Sequence, residues 1–134
     1  MGSDLVRVVI ADDHAGALFA FSQIITGEFD VVGKAINGRE AVLIAGKLKP
    51  DVVVLDIEMP VMNGLDAARK LILERSNARI IFLTVHADVD YVQAALILGA
   101  AGYVLKSRAA LDLTKAIRMA MLGRQFISPG AGPQ

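Results

Sequence analysis

Asp56 closes an apolar run, Val52-Val53-Val54-Leu55, and Met59-Pro60 and Asn63-Gly64 follow at once. A carboxylate at the carboxyl end of a buried strand, ahead of a turn-rich loop, sits where open α/β sheets bind ligands. Two more acids, Asp12 and Asp13, come directly after Val8-Val9-Ile10-Ala11. Thr84 follows Arg79-Ile80-Ile81-Phe82-Leu83, and Lys106 follows Gly102-Tyr103-Val104-Leu105. Acids, a hydroxyl and an ammonium at strand ends suit a carboxylate that accepts a phosphoryl group with a divalent cation beside it. Each residue alone has an ordinary reading. Asp12-Asp13 can be a helix N-cap next to a turn acid, Thr84 a β-branched strand residue, and Lys106 an exposed loop lysine. Their joint placement carries the functional reading.

Carboxylates brought within a few ångströms repel, so one is protonated or a cation neutralises them. Oxygen ligands in an open crevice suit Mg²⁺, which takes few protein ligands and keeps some waters. Asp13 and Asp56 are the natural direct ligands, Asp12 acts directly or through a water, and the backbone carbonyl of Glu58 completes the protein's share. Asp56 can act as a nucleophile toward phosphorus and yield an aspartyl phosphate, with Mg²⁺ offsetting charge on the phosphoryl oxygens. Lys106 is a point charge suited to a phosphoryl oxygen or to Asp56 itself. Thr84 can donate its hydroxyl to a phosphoryl oxygen. Tyr103, with an apolar body and a polar tip, fits either burial or exposure. The chain has two histidines, His14 and His86, and a zinc or catalytic role for either would need further partners. His14 reads as packing or capping at the first helix, and His86 as a rim residue two positions after Thr84.

The elements that must position these groups alternate regularly. Leu5–Ala11, Phe29–Ile36, Val52–Leu55, Ile80–Val85 and Gly102–Leu105 read as strands. Ala15–Thr26, Arg39–Leu48, Leu65–Glu74, a helix capped by Asp88 and running to Leu98, and Leu111–Leu122 read as helices, with Gly27, Pro50, Gly99 and Gly123 as stops. Strict βα alternation with fully apolar strands predicts a parallel sheet covered on both faces. Right-handed crossovers favour a flavodoxin-like three-layer (βα)5 sandwich with five strands in the order 2-1-3-4-5. Asp12, Asp13 and Asp56 then share the crevice between strands 1 and 3. Residues 4–123 form the domain. Residues 124–134, rich in Pro and Gly, read as a linker or frayed tail.

At 134 residues and 54% hydrophobic content the chain is one domain able to bury its own core. It has no cysteine, which excludes disulfides and thiolate metal sites and fits a reducing compartment. Lys+Arg 14 against Asp+Glu 14 gives zero formal charge, which argues against nucleic acid as this segment's direct partner. No apolar run reaches membrane-spanning length, and no signal peptide opens the chain. A cytoplasmic location is expected.

Taken together, Val8-Val9-Ile10-Ala11-Asp12-Asp13-His14, the segment from Val54 to Gly64, Leu83-Thr84, and Gly99-Ala100-Ala101-Gly102-Tyr103-Val104-Leu105-Lys106 resemble the receiver domain of two-component response regulators. The resemblance covers roughly Val6 to Leu122. Asp-Asp-His at the start, Ala116-Ile117-Arg118 and Phe126-Ile127-Ser128-Pro129 look like the NarL/FixJ-type, LuxR-class subgroup. The resemblance implies that Asp56 is the phosphoacceptor, that Asp12 and Asp13 belong to the Mg²⁺ pocket, that Thr84 and Lys106 sense the phosphoryl group, and that Tyr103 is the switch residue. It implies a sensor histidine kinase as donor and homodimerisation on phosphorylation. DNA would be bound only through a helix-turn-helix output domain beyond this chain, which is then a receiver excised from a longer protein or a stand-alone one. Such a domain is not an enzyme, although it assists its own phosphorylation and dephosphorylation.

The chain departs from the family pattern in three places. Ser107 follows Lys106 where many receivers have proline. The first helix carries Leu18 and Phe19 where polar or basic side chains are usual, and Ile97 stands where the fourth helix is normally polar. The near-continuous apolar stretch Ala15–Phe21 exceeds one buried face. Leu18 and Phe19 are therefore expected to form a protein-protein patch with the fifth helix, in a symmetric homodimer or against another partner. Glu58 and His86, flanking the water path to an aspartyl phosphate, are expected to tune its hydrolysis.

Two rival readings use the same fold. A haloacid-dehalogenase-like phosphatase needs a second Asp two residues after the nucleophile, where this chain has Glu58. A flavodoxin-like cofactor binder needs a phosphate-cradling loop after the first strand, where Asp12-Asp13 would repel phosphate.

Overall fold

A computed structural model describes residues 4–132. In chain order the elements are β1 (Arg7–Ala11), α1 (Ala15–Ile25), β2 (Asp30–Ala35), α2 (Gly38–Leu48), β3 (Val52–Leu55), α3 (Gly64–Leu73), β4 (Arg79–Thr84), α4 (Val89–Ile97), β5 (Gly102–Leu105), α5 (Ala109–Met121) and β6 (Phe126–Ile127), with a 3₁₀ turn over Lys106–Arg108. All pairings between these strands are parallel, in the order β2-β1-β3-β4-β5-β6. The expected 2-1-3-4-5 core is present. Among the described residues the sheet has six strands rather than five, because the segment after Gly123 adds one.

Alternate strand residues feed two separate cores. Val8, Ile10, Val52 and Val54 pack with Leu18 and Ile25 of α1 and Leu113 and Ile117 of α5. Val9, Val53 and Leu55 pack with Ala41 of α2, Ala67 and Leu71 of α3 and Val92 of α4. Helices thus cover both faces, which is why the strands read as unbroken apolar runs. No helix among the described residues is long and apolar enough to cross a membrane.

Local chemistry sets the helix starts. The Asn37 side chain accepts from Glu40 N, and Asn63 accepts from Asp66 N, each at 2.8 Å, both N-cap bonds. His14 and Asp88 occupy N-cap positions but make no side-chain cap bond. The capping expected of Asp88 is therefore positional only.

Two expectations need correction. Leu18 is 7% exposed and belongs to the α1/α5 core, whereas Phe19 is 60% exposed. Of the expected surface pair, only Phe19 is available. The helix turns about 100° per residue, so adjacent apolar residues point in different directions. Residues 124–132 are packed rather than frayed. Phe126 N donates to Ala101 O, Ser128 N to Tyr103 O and Gly132 N to Ala87 O. Strand pairing absorbs a segment whose own pattern predicts none. Pro133 and Gln134, also part of the expected tail, lie outside the described residues.

Gly64 shows how tightly the loop after β3 is drawn in. Its N–H donates to Ile57 O at 2.8 Å, and a Cβ there would lie 1.9 Å from Asp56 O. Gly64→Ala is expected to lower the unfolding free energy by roughly 2–4 kcal/mol. Gly46→Ala, in α2 with nothing within 4 Å of the added methyl, should raise it by about 0.5–1 kcal/mol. Urea unfolding of both variants checks the contrast; equal effects would remove the close-approach argument.

Candidate functional site

Register brings the reactive groups together. Ala11 pairs with Leu55 and Thr84 with Leu105, so Asp12 and Asp56 emerge side by side and Lys106 emerges next to Thr84. Asp56 N donates to Ala11 O at 3.2 Å, tying the two strand ends. Lys106 Nζ lies 2.7 Å from Asp12 Oδ2 and 2.7 Å from Asp56 Oδ2. Asp12, Asp56 and Thr84 are buried, and Asp13 is half-buried at the mouth.

A cavity of about 500 Å³ opens here, lined by Asp13, His14, Asp56, Glu58, Asn63 and Lys106 among others. A second, of about 520 Å³, lies at the other end of the sheet against Lys49, Asp51, Arg75 and Arg79. No residue of the acid cluster lines it.

Charge in the first cavity is unbalanced. Asp12, Asp13 and Asp56, with Glu58 at the rim, face one ammonium. Asp13 Oδ1 is buried yet accepts no hydrogen bond of normal geometry, and Asp12 Oδ2 has only the Lys106 ammonium, which it shares with Asp56. Such oxygens are costly without a cation. Ligand atoms of Asp12, Asp13 and His14 all lie within 4.8 Å of one another. The oxygens fit Mg²⁺; imidazole is the poorer donor for so hard an ion. His14 is largely exposed, its Nδ1 3.2 Å from Asp13 Oδ1, so it is neither packed nor a side-chain cap.

Burial raises the Asp56 carboxyl above its ordinary range; Lys106 works against this, and the Asp12 charge reinforces it. Burial would lower the Lys106 ammonium, but its bonds to Asp12 and Asp56 outweigh that and raise it. Tyr103 is fully buried, and burial first, then Asp88, pushes its phenol well above the usual value.

The remaining expected residues form a connected rim. Thr84 Oγ1 accepts from His86 N at 3.3 Å. Tyr103 donates its hydroxyl to His86 O at 2.7 Å, which settles its orientation inward. His86 stacks on Tyr91 with ring centroids 4.1 Å apart, and its Nε2 lies 2.8 Å from Glu58 Oε1. Glu58 and His86, expected to flank one water path, meet across the mouth. Phe19 stands apart on α1. Tyr91 was missed: aromatic stacking on a loop histidine leaves no periodic signal.

Residues 8–118 match the family model described as the response regulator receiver domain. The chain is 39% identical over 127 residues to the uncharacterized transcriptional regulatory protein YvfU of Bacillus subtilis (strain 168), covering 93% of this chain and 64% of that protein. It therefore spans somewhat under two thirds of the curated relatives it matches, with 62% for the response regulator GacA of Pseudomonas viridiflava. Among solved structures, a LuxR-family two-component response regulator from Aurantimonas sp. SI85-9A1 superposes with TM-score 0.89 at 30% identity, covering 94% of this chain and 91% of that one. The CheX-CheY-BeF3-Mg+2 complex from Borrelia burgdorferi gives 0.76 at 30% identity, with 88% of each chain covered.

Because the folded-state pKa of Asp56 exceeds its unfolded value, its ionisation costs stability. Its contribution is most favourable below the unfolded carboxyl pKa and is lost as pH rises through the folded one. Asp56→Asn leaves Lys106 paired with Asp12 and should raise Tm by about 2–5 °C at neutral pH without divalent cations. The gain should vanish at acid pH. Mg²⁺ should raise the parent's Tm by mass action, and Asp13→Asn should remove that rise. Melting curves with Mg²⁺ or EDTA read all three; a less stable Asp56→Asn would contradict the charge balance.

Proposed function

The chain belongs to the response regulator receiver family, in its LuxR-type branch, and on that premise we propose that Asp56 is a phosphoacceptor that switches a transcriptional output. The observation carrying this reading is Lys106 held 2.7 Å from both Asp12 and Asp56, beside the buried Asp13 Oδ1, which accepts no hydrogen bond of normal geometry.

The donor is a phosphohistidine on a sensor histidine kinase. A carboxylate oxygen of Asp56 forms the new bond to phosphorus while the phosphorus–nitrogen bond breaks, and the electron pair stays with the imidazole. Asp13, Asp56 and the Glu58 carbonyl, with Asp12 directly or through water, would hold Mg²⁺, which when bound offsets charge on the phosphoryl oxygens. Lys106, now on Asp56 Oδ2, is placed to pass to a phosphoryl oxygen. The bond that Thr84 Oγ1 accepts from His86 N is long at 3.3 Å, so turning that hydroxyl to a phosphoryl oxygen forfeits little. Movement of Thr84 and His86 pulls on Tyr103, whose hydroxyl is bonded to the His86 carbonyl. Two states biased by the phosphoryl group result.

The output reading is cytoplasmic and transcriptional. Phe19 on α1, beside α5, supplies an apolar contact for a homodimer, and DNA is bound through a helix-turn-helix domain beyond the receiver. The domain is modified once per cycle and assists both phosphorylation and hydrolysis without multiple turnover of substrate. Glu58 and His86 screen the mouth from water.

Acetyl phosphate with Mg²⁺ should add one phosphoryl group to the intact mass, and Asp56→Asn should show none; a modified Asp56→Asn would move the acceptor elsewhere. Steady turnover of a small phosphate ester would favour a phosphatase instead. Sedimentation of the phosphorylated parent should show a dimer that Phe19→Asp weakens; an unchanged association state would retire that face. Glu58→Ala and His86→Ala should each shorten the aspartyl phosphate lifetime by about 3- to 10-fold, and the double variant should lose little more. Lifetimes equal to the parent's would discard the screening role.

A further inference from the structure

Asp112 is a buried acid that the phosphoryl chemistry does not use. It projects from α5, is 1% exposed, and meets Ser128, itself 2% exposed, from the segment after α5. Ser128 donates its hydroxyl proton to Asp112 Oδ2 at 2.7 Å, and Ser128 Oγ accepts from Leu105 N at 3.1 Å. Asp112 also accepts from Arg108 Nε at 2.8 Å. Burial alone would raise the Asp112 carboxyl, but the bonds from Arg108 and Ser128 outweigh it and hold it below the usual carboxylate range.

These bonds bracket Lys106. Leu105 lies immediately before it, and Arg108 ends the single 3₁₀ turn that carries it. Leu105 ends β5, two residues beyond Tyr103, the last to pair with β6. The following chain turns away at Pro129, so no backbone carbonyl continues the ladder. The Ser128 side chain supplies the acceptor that a longer strand would have provided. A hydroxyl has one proton to give. Committing it to Asp112 turns a lone pair toward Leu105 N, so Asp112 sets the direction of the bond. Both ends of the Lys106 turn are then anchored on one buried carboxylate, and the Lys106 stem starts from a fixed point.

We propose that Ser128, oriented by Asp112, is a positioning residue for Lys106, so that the segment following α5 completes the acid site. Lys106 then depends on Ser128, directly after β6, so the segment that extends the sheet edge also serves the site. The inference rests on the phosphoacceptor reading only where phosphorylation is measured; the placement of Lys106 can be read without it.

The first measurement is the side-chain ammonium signal of Lys106 in ¹⁵N NMR, metal-free. Held by Asp12 and Asp56, it should be observable in the parent, be broadened beyond detection in Ser128→Ala, and return in Ser128→Thr, which keeps the hydroxyl. The second is the rate at which acetyl phosphate with Mg²⁺ modifies the full chain. Ser128→Ala should be slower by about 3- to 10-fold, with Ser128→Thr near the parent. If Ser128→Ala does not fold, Asp112→Asn, which keeps the shape but loses the charge, is read the same way. An unchanged Lys106 signal, or a parent-like rate, overturns the proposal. A parent that shows the Lys106 signal but takes no phosphoryl group overturns the phosphoacceptor reading instead, leaving the positioning role to the NMR result.

Discussion

One ammonium between two buried carboxylates organises this molecule. Lys106 sits 2.7 Å from Asp12 and 2.7 Å from Asp56, with Asp13 at the same mouth. Bringing these acids together is unfavourable: burial penalises each charge, and each charge penalises the next. Lys106 offsets part of that penalty and leaves a net negative site. On the proposed reading, that imbalance is what receives a hard divalent cation and, with one, an incoming phosphoryl group. An apolar replacement would make a steadier protein without this capacity, the usual trade between stability and function.

The fold exists in a form that enforces the crowding. Parallel register aligns the ends of β1 and β3 and those of β4 and β5. The loop after Asp56 is folded hard against the strand end, so that only a glycine fits at Gly64. From there bonds, one ring stack and the chain itself lead outward. Thr84 leads to His86, His86 to Tyr103 and Tyr91, and Lys106 to Leu105, Ser128 and Asp112. A change of charge at Asp56 therefore has two routes into the rest of the domain, one through the loop after β4 and one through the turn after β5. The second reaches the segment by which any following chain would leave.

Much of this was legible in the residues themselves. Apolar runs bounded by Gly, Pro and Asn mark five strands, because central parallel strands are buried on both faces. Asp12, Asp13, Asp56, Thr84 and Lys106 stand out because each follows such a run. The illegible parts depend on distant partners. The strand Phe126–Ile127 is too short for a period of its own and exists because β5 offers an edge. Asp112 looks like an ordinary helical acid until Arg108 and Ser128 are seen around it. Leu18 and Phe19 are adjacent in an apolar stretch, and only the packing of α1 on the sheet separates core from surface. The contact between Glu58 and His86 joins two loops whose separation in sequence hides it.

The central claim is that the acids at the β1 and β3 ends form a single oxygen site for a divalent cation. Paramagnetic Mn²⁺, added below stoichiometry in place of Mg²⁺, tests it through selective loss of backbone amide signals in NMR. Signals around Asp12, Asp13, Asp56 and Glu58 should vanish first, while those lining the cavity of Lys49, Arg75 and Arg79 persist. Broadening spread evenly over surface acids such as Asp66, Glu74 and Asp90 would contradict the account.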